Sequence, residues 1–277
     1  MTVIENIKYD AERALYGSED LHVIGCTFDG EADGESALKE SKNILVEKSL
    51  FNLRYPFWHV MGLTVANSEL TENCRAPFWY SSDIKIEGCK LKSPKALREC
   101  TKIRIQNTEM TSNELGWSCD DLKIKDSSLE GEYLLLRSSN MVLDNIRLSG
   151  KYSCQYIENV VIENSNFNTK DAFWHAKNVT VRNSVIKGEY LGWYSENLTL
   201  DSCVIIGTQP LCYCKGLELI NCEMHQADLS FEKSEVEASI TTPVISIKNP
   251  KSGHISVKMY DELIMTEPSS VKIETEI

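Results

Sequence analysis

The sequence predicts an all-β fold: a right-handed parallel β-helix with three strands per coil and about ten to twelve coils. The first observation is a repeat. Ile44, Leu63, Ile84, Ile103, Leu122, Met141, Val160, Val179, Leu198 and Leu217 follow one another at gaps of 19 residues, with a single gap of 21 after Leu63. A constant period of that size belongs to solenoids, in which each coil buries its apolar face against the next. The second observation is strand-like alternation around each anchor. The third is a column of residues that tolerate a left-handed bend.

The coil at Val160 shows the grammar. Val160 and Ile162 alternate with Val161 and Glu163, a two-residue period that puts one face inward. Asn164 follows, and Ser165 and Phe167 point inward from a second short strand. The same order recurs in Ile103, Ile105, Asn107, Thr108, Met110 and in Val179, Val181, Asn183, Ser184, Ile186. The bend column reads Lys48, Asn67, Gly88, Asn107, Asp126, Asn145, Asn164, Asn183, Ser202, Asn221. Asn, Asp and Gly are the residues that visit left-handed backbone most readily. Coils stacked about 4.8 Å apart would let these amides bond one another in an internal ladder. Beside it runs a column of mostly small residues, Ser49, Ser68, Cys89, Thr108, Ser127, Ile146, Ser165, Ser184, Cys203 and Cys222. A left-handed hexapeptide helix would show a six-residue sub-period, and none is present.

A third strand closes each coil, in segments such as 56–60, 134–138 and 191–195. Five residues before each anchor stand Trp58, Trp79, Arg98, Trp117, Leu136, Gln155, Trp174, Trp193 and Cys212, a column that holds all five tryptophans. Four before stand His59, Tyr80, Glu99, Ser118, Arg137, Tyr156, His175, Tyr194 and Tyr213. Neighbouring strand positions face opposite sides. The polar column is therefore expected outside and the tryptophans inside, although Arg98 and Gln155 are poor interior residues.

The ends are expected to be caps. Residues 1–20 include a helix-like stretch at 10–16, residues 21–230 form the coils, and residues 231–277 lose the register after Phe231, with Pro243, Pro250 and Pro268 breaking it further. The whole chain reads as a single domain.

Composition narrows the partners. The formal net charge is −12, which disfavours nucleic acid and anionic lipid. Stretches of 18 apolar residues are absent, so no membrane span is expected. The ten cysteines fall in register, with Cys89, Cys203 and Cys222 in one column and Cys100, Cys119 and Cys214 in another. They read as core fillers of a reduced protein. With a polar start that lacks a secretory apolar segment, the expectation is a cytoplasmic protein.

Residues 29–40, DGEADGESALKE, form an acidic insertion in the first long coil, where Leu21 and Ile44 are 23 residues apart. Three readings compete. Asp29, Glu31, Asp33, Gly34 and Glu40 match the spacing of a calcium loop, although Glu31 departs from it and the flanks are strands. Asp33 and Glu35 could act as paired carboxylates in glycoside chemistry, with Glu99 or with His59 as proton carrier. Asp33 could instead cap a short helix over 35–40. Nothing else in the chain implies a cofactor.

The run DGEADGESALKES, LRYPFWH at 53–59 and the Asn-bend coils resemble an uncharacterised bacterial family of pectin-lyase-like β-helix proteins. The resemblance covers nearly the whole chain and implies the right-handed β-helix without an established activity. The wider superfamily includes polygalacturonases, pectate lyases, pectin methylesterases and epimerases, but fold alone does not assign function. This chain lacks the clustered Asp pair of the first and the Asp and Arg run of the second. The expected function is a carbohydrate-active protein, a glycosidase or lyase among the options, meeting an oligosaccharide or sugar derivative on the outer third strand near the N-terminal coils. Arg54, Tyr55, Tyr80, Glu99 and Arg137 are the candidate ligand contacts, and Asp33, Glu35 and His59 the candidate proton-transfer groups. The alternative is a non-catalytic scaffold that presents its regular face to another protein.

Overall fold

A computed structural model describes residues 1–30 and 35–275. Among the described residues the regular structure is entirely β, in strands stacked in parallel register with about 14 turns in all. The chain divides into two compact units, Met1–Met141 and Val142–Ile277. In the first, Ile44 pairs with Leu63, Leu63 with Ile84, Ile84 with Ile103 and Ile103 with Leu122. In the second, Val160 pairs with Val179 and Val179 with Leu198. Every anchor from Ile44 to Leu217 is buried. The fold is therefore the expected parallel β-solenoid.

The expected caps belong to the ladder instead. Thr2–Glu5 pairs in parallel with residues 21–24, and Lys8–Tyr9 with Thr27–Phe28. Residues 10–16 form no helix, because their backbone donors are used between coils: Arg13 N donates to Glu35 O and Leu15 N to Ala37 O. The proposed helix over 35–40 is absent for the same reason. Ser36, Leu38 and Glu40 donate to the carbonyls of Arg54, Pro56 and Trp58, so this stretch is an ordinary third side. Leu38 lies fully buried one coil before Phe57. At the other end Glu235–Lys248, Ser252–Ile264 and Lys272–Thr275 continue the stack. Pro243 sits at a register shift after Ile240, the kind of irregularity to which proline is confined within a sheet. These added turns account for the excess over ten to twelve.

The bend column is left-handed at all ten positions, with φ between 48° at Asn183 and 62° at Gly88. The internal amide ladder does not form. All six Asn side chains of that column are exposed. The ladder inside is built from the next residue. Ser49, Ser68, Thr108, Ser127, Ser165 and Ser184 are buried, and each hydroxyl accepts from a backbone N–H one coil earlier. Thr108 N donates to Ser127 Oγ at 3.1 Å and Ser165 N to Ser184 Oγ at 3.0 Å. Each hydroxyl then donates to the carbonyl two residues back, as Ser165 Oγ does to Glu163 O at 2.6 Å.

Apolar rings and thiols fill the rest. Phe28 stacks on Phe51 at 4.5 Å and Phe57 on Phe78 at 5.2 Å. All ten cysteines are free and buried. Burial pushes the thiols of Cys154 and Cys212 up to about 12 and that of Cys214 to about 11.

Two outcomes are expected. Ser165→Ala strands the buried Ile146 N–H, which Ser165 Oγ accepts at 3.0 Å, and should cost about 1–3 kcal/mol in urea melts. Ser165→Cys should cost less, since thiols hold the same column at Cys89, Cys203 and Cys222. An unchanged melt for the alanine variant would refute the ladder's role. In a thiol titration, the native protein should react far more slowly than the denatured chain, because all ten thiols are buried away from the reagent and those pushed up, such as Cys154, Cys212 and Cys214, also carry little thiolate.

Candidate functional site

The third side is not a continuous extended strand, and among the described residues only the paired two-residue pieces Phe78–Trp79 and Leu97–Arg98 are strand-like on it. Left-handed residues alternate along it, as at Tyr133, Leu135 and Arg137, at Asp171, Phe173 and His175, and at Tyr190, Gly192 and Tyr194. Coils still bond one another here, with Tyr156 N donating to Trp174 O and His175 N to Trp193 O. The side chains, however, no longer alternate. Residues 134–138 run buried, buried, half-buried, exposed, buried. Both columns therefore face outward, which corrects the expectation of interior tryptophans. The core positions belong to Phe57, Phe78, Leu97, Leu135, Cys154, Phe173 and Leu211.

Each tryptophan is held at the surface by its indole N–H. Trp58 donates to Ala76 O at 2.6 Å, Trp79 to Lys95 O at 2.6 Å, Trp117 to Tyr133 O at 2.6 Å, Trp174 to Tyr190 O at 2.8 Å and Trp193 to Gln209 O at 2.7 Å. Gln155 copies the contact, donating Nε2 to Asp171 O at 3.0 Å. Arg98 fits by another route. Its guanidinium lies 4.4 Å from the Trp79 ring and 4.8 Å from the Trp117 ring, and it bonds Glu114 at 3.1 Å. The two residues that argued against a buried column are thus at home in an outer one.

The ring geometry leaves faces available. Carbon surfaces meet at about 3.5–4.0 Å. The His/Tyr rings repeat at 4.8–5.1 Å and the Trp pairs at 5.3 and 5.5 Å, so parallel rings stack only when slid across each other. The Trp planes stand at 71–89° to the Tyr planes beside them. The two columns therefore slant in opposite senses, and part of each face stays uncovered. Tyr80 is 39% exposed, Tyr156 47% and Tyr194 43%.

In the first unit the structure gathers most of the predicted residues. Glu35 pairs with Arg54 at 3.4 Å, and the Arg54 guanidinium lies 5.7 Å from the Tyr55 ring. Tyr55 meets Trp58 at 4.7 Å, and His59 stacks on Tyr80 at 5.1 Å. Glu99 follows Tyr80 in the same outer column. Arg137 lies two coils beyond Glu99, and both are exposed. Asp33 falls outside the described residues, as do Glu31 and Gly34 of the calcium reading. The two outer members of that set are engaged elsewhere: Asp29 accepts from Asn52 at 2.7 Å, and Glu40 accepts from Tyr16 Oη. Among the described residues no cluster of three or more His, Cys, Asp or Glu could hold a metal, and no helix is long and apolar enough to cross a membrane.

The second unit carries a longer ladder than the sequence reading favoured. Tyr156, His175, Tyr194 and Tyr213 stack in an unbroken row, at 4.9, 5.0 and 4.8 Å with planes within 11°. Trp174 and Trp193 run beside it. At its edge lies a residue that sequence reasoning missed. Asp171 is only 5% exposed, and the oxygens of its carboxylate keep an edge to solvent. It occupies the column of Tyr152 and Tyr190, and Tyr190 meets Trp193 at 5.3 Å. Lys170 turns to Glu189 at 3.3 Å. Burial raises the Asp171 pKa, Lys170 opposes that shift, and Glu189 adds to it. The available signal was the break in a tyrosine column, Tyr133, Tyr152, Asp171, Tyr190.

A carboxylate with a raised folded pKa stabilises the fold only while protonated. Its contribution is complete below the unfolded value, about 3.9, and is lost as pH rises through the folded value. Asp171→Asn should therefore melt higher than the parent at neutral pH, with the gain vanishing below about pH 4. A constant difference across pH would refute this account.

Comparison with known proteins adds family and little more. The family model described as "Protein of unknown function (DUF3737)" matches residues 2–277. No curated protein matches the sequence. Solved structures that are similar include the Streptococcus pneumoniae surface protein and adhesin PfbA, at 12% identity and TM-score 0.41, covering 92% of this chain and 77% of that one. The periplasmic alginate epimerase AlgG is similar at 11% identity and TM-score 0.32, covering 92% and 76%. The catalytic domain of a GH87 alpha-1,3-glucanase, solved with tetrasaccharides, gives 11% and 0.26, covering 99% and 62%. Likeness of this degree transfers neither activity nor site.

Proposed function

This chain belongs to the DUF3737 family, and we propose that it binds an oligosaccharide or sugar derivative on the outer third side of its first unit. The observation that carries the reading is the contiguous patch of Glu35, Arg54, Tyr55, Trp58, His59, Trp79 and Tyr80. Uncovered ring faces there lie beside a fixed guanidinium and carboxylate. Sugars present the matching surfaces, with apolar C–H faces for stacking and hydroxyls for polar groups to read. Glu99 and Arg137 extend the contact along the same column. Binding is favoured over turnover because Glu35 is occupied by Arg54. Where the ligand is turned over, the proton-transfer groups are Glu35, His59 and Asp33.

The test is a panel of neutral and acidic oligosaccharides read by native mass spectrometry. Intact sugar held in a complex supports binding, and a shortened or unsaturated product establishes turnover. Tyr80→Ala should weaken the complex about two- to tenfold with the melt unchanged, the equivalent of a stacking contact of about 0.5–1.5 kcal/mol. Absence of any complex or product across the panel would sink the reading.

A further inference from the structure

We infer that the second unit carries a separate binding face for an extended neutral glycan, aligned along the ladder of Tyr156, His175, Tyr194 and Tyr213. The inference rests on the carbohydrate reading above and assigns the ligand class of a different set of residues.

Three observations converge. The first is spacing. The four rings repeat at 4.9, 5.0 and 4.8 Å, one per coil. That is close to the advance of one pyranose ring in an extended, equatorially linked chain. A straight glycan laid along the row meets each sugar with an equivalent slanted face, so contacts stay in register instead of drifting. The first unit has no such run, because Glu99 and Ser118 follow Tyr80 in its outer column.

The second observation is charge. Lysines along this part of the unit already face carboxylates. Lys170 pairs with Glu189, Lys177 and Lys215 with Glu196, and Lys248 with Glu232. Glu232 also receives Tyr213 Oη at 3.4 Å. A uronate chain would meet a surface whose cations are committed and whose rim is acidic. A neutral chain meets no such penalty.

The third observation is the carboxylate of Asp171. The residue is only 5% exposed, the oxygens of its carboxylate still reach solvent, and its register position places it next to Trp174 as Tyr190 is next to Trp193. A sugar hydroxyl lying over the Trp column donates to that carboxylate in place of water.

The experiment titrates the full-length protein with cello-oligosaccharides of increasing length, and with oligogalacturonides as the acidic counterpart. Affinity for the neutral series should climb with each sugar until all four rings are covered, then level off. Tyr194→Ala should lower neutral-series affinity about tenfold, while Tyr133→Ala, at an exposed ring outside both faces, should leave it intact. Tyr156→Ala is a second variant at an exposed side chain, should Tyr194→Ala lower the melt. Asp171→Ala should weaken binding with a melt at or above the parent's, which loss of a purely structural group would not produce. If Tyr194→Ala and Tyr156→Ala bind as the parent does while Tyr80→Ala does not, the inference falls and the proposed function stands. Preference of this face for oligogalacturonides overturns the neutral assignment. If no oligosaccharide binds the parent, both readings fall.

Discussion

The amide that follows each left-handed bend is the constraint on which the coil depends. The bend turns that N–H toward the interior, where an unpaired donor costs about 1–3 kcal/mol. The hydroxyl of the next coil takes it, as Ser68 does for Ser49 and Ser165 for Ile146. The hydroxyl must also return a hydrogen bond to the carbonyl two residues back. Few side chains are short enough and can do both, which is why Ser, Thr and Cys dominate the column. The requirement also fixes coil length. Residues can be added only where the ladder is not running, between the second and third sides. The longer gaps at Leu21–Ile44 and Leu63–Ile84 are both absorbed there, before Ser36 and before Ala76.

The third side solves the same accounting with different backbone. Alternating left-handed residues cost about 1–2 kcal/mol each for bulky side chains. They persist because their N–H groups bond the next coil, as His59 N does to Trp79 O and Tyr194 N to Cys212 O. The consequence is a surface that a flat strand cannot make. Two successive residues point outward in most coils, Cys212 being a buried exception, so two aromatic columns run side by side with planes at steep angles. The indole N–H bond to a backbone carbonyl then locks the Trp column, and Gln155 fills the same role with an amide.

What was legible in the sequence was chemistry repeated at one period: the anchors, the left-handed bend, the small interior column and the buried thiols. What was not legible was direction. The interior assignment of the tryptophans followed from strand alternation, and alternation fails where Leu135, Phe173 and Gly192 are left-handed. The amide ladder failed because the bend that suits Asn also turns its side chain to solvent. Helical readings at 10–16 and 35–40 were local propensities overridden by pairing between coils. The site was partly legible. Arg54, Tyr55, His59 and Tyr80 come together as sequence spacing suggested, because they share one bend-to-anchor register. Asp171 escaped because its burial follows from the coils above and below it, which a single coil's sequence does not describe.

A repeating face has a further consequence for recognition. Equivalent rings at equal spacing hold a chain but do not distinguish one register from the next, so a ligand could slide by whole sugars. Discrimination has to come from residues that break the repeat. In the first unit these are Arg98, set between Trp79 and Trp117, and Glu99, which ends the His59–Tyr80 row. In the second it is Asp171, the carboxylate in a tyrosine column. The conserved geometry of the coil supplies affinity for length, and the few irregular side chains supply position. A ligand that is both extended and regular is the one to which such a surface is matched.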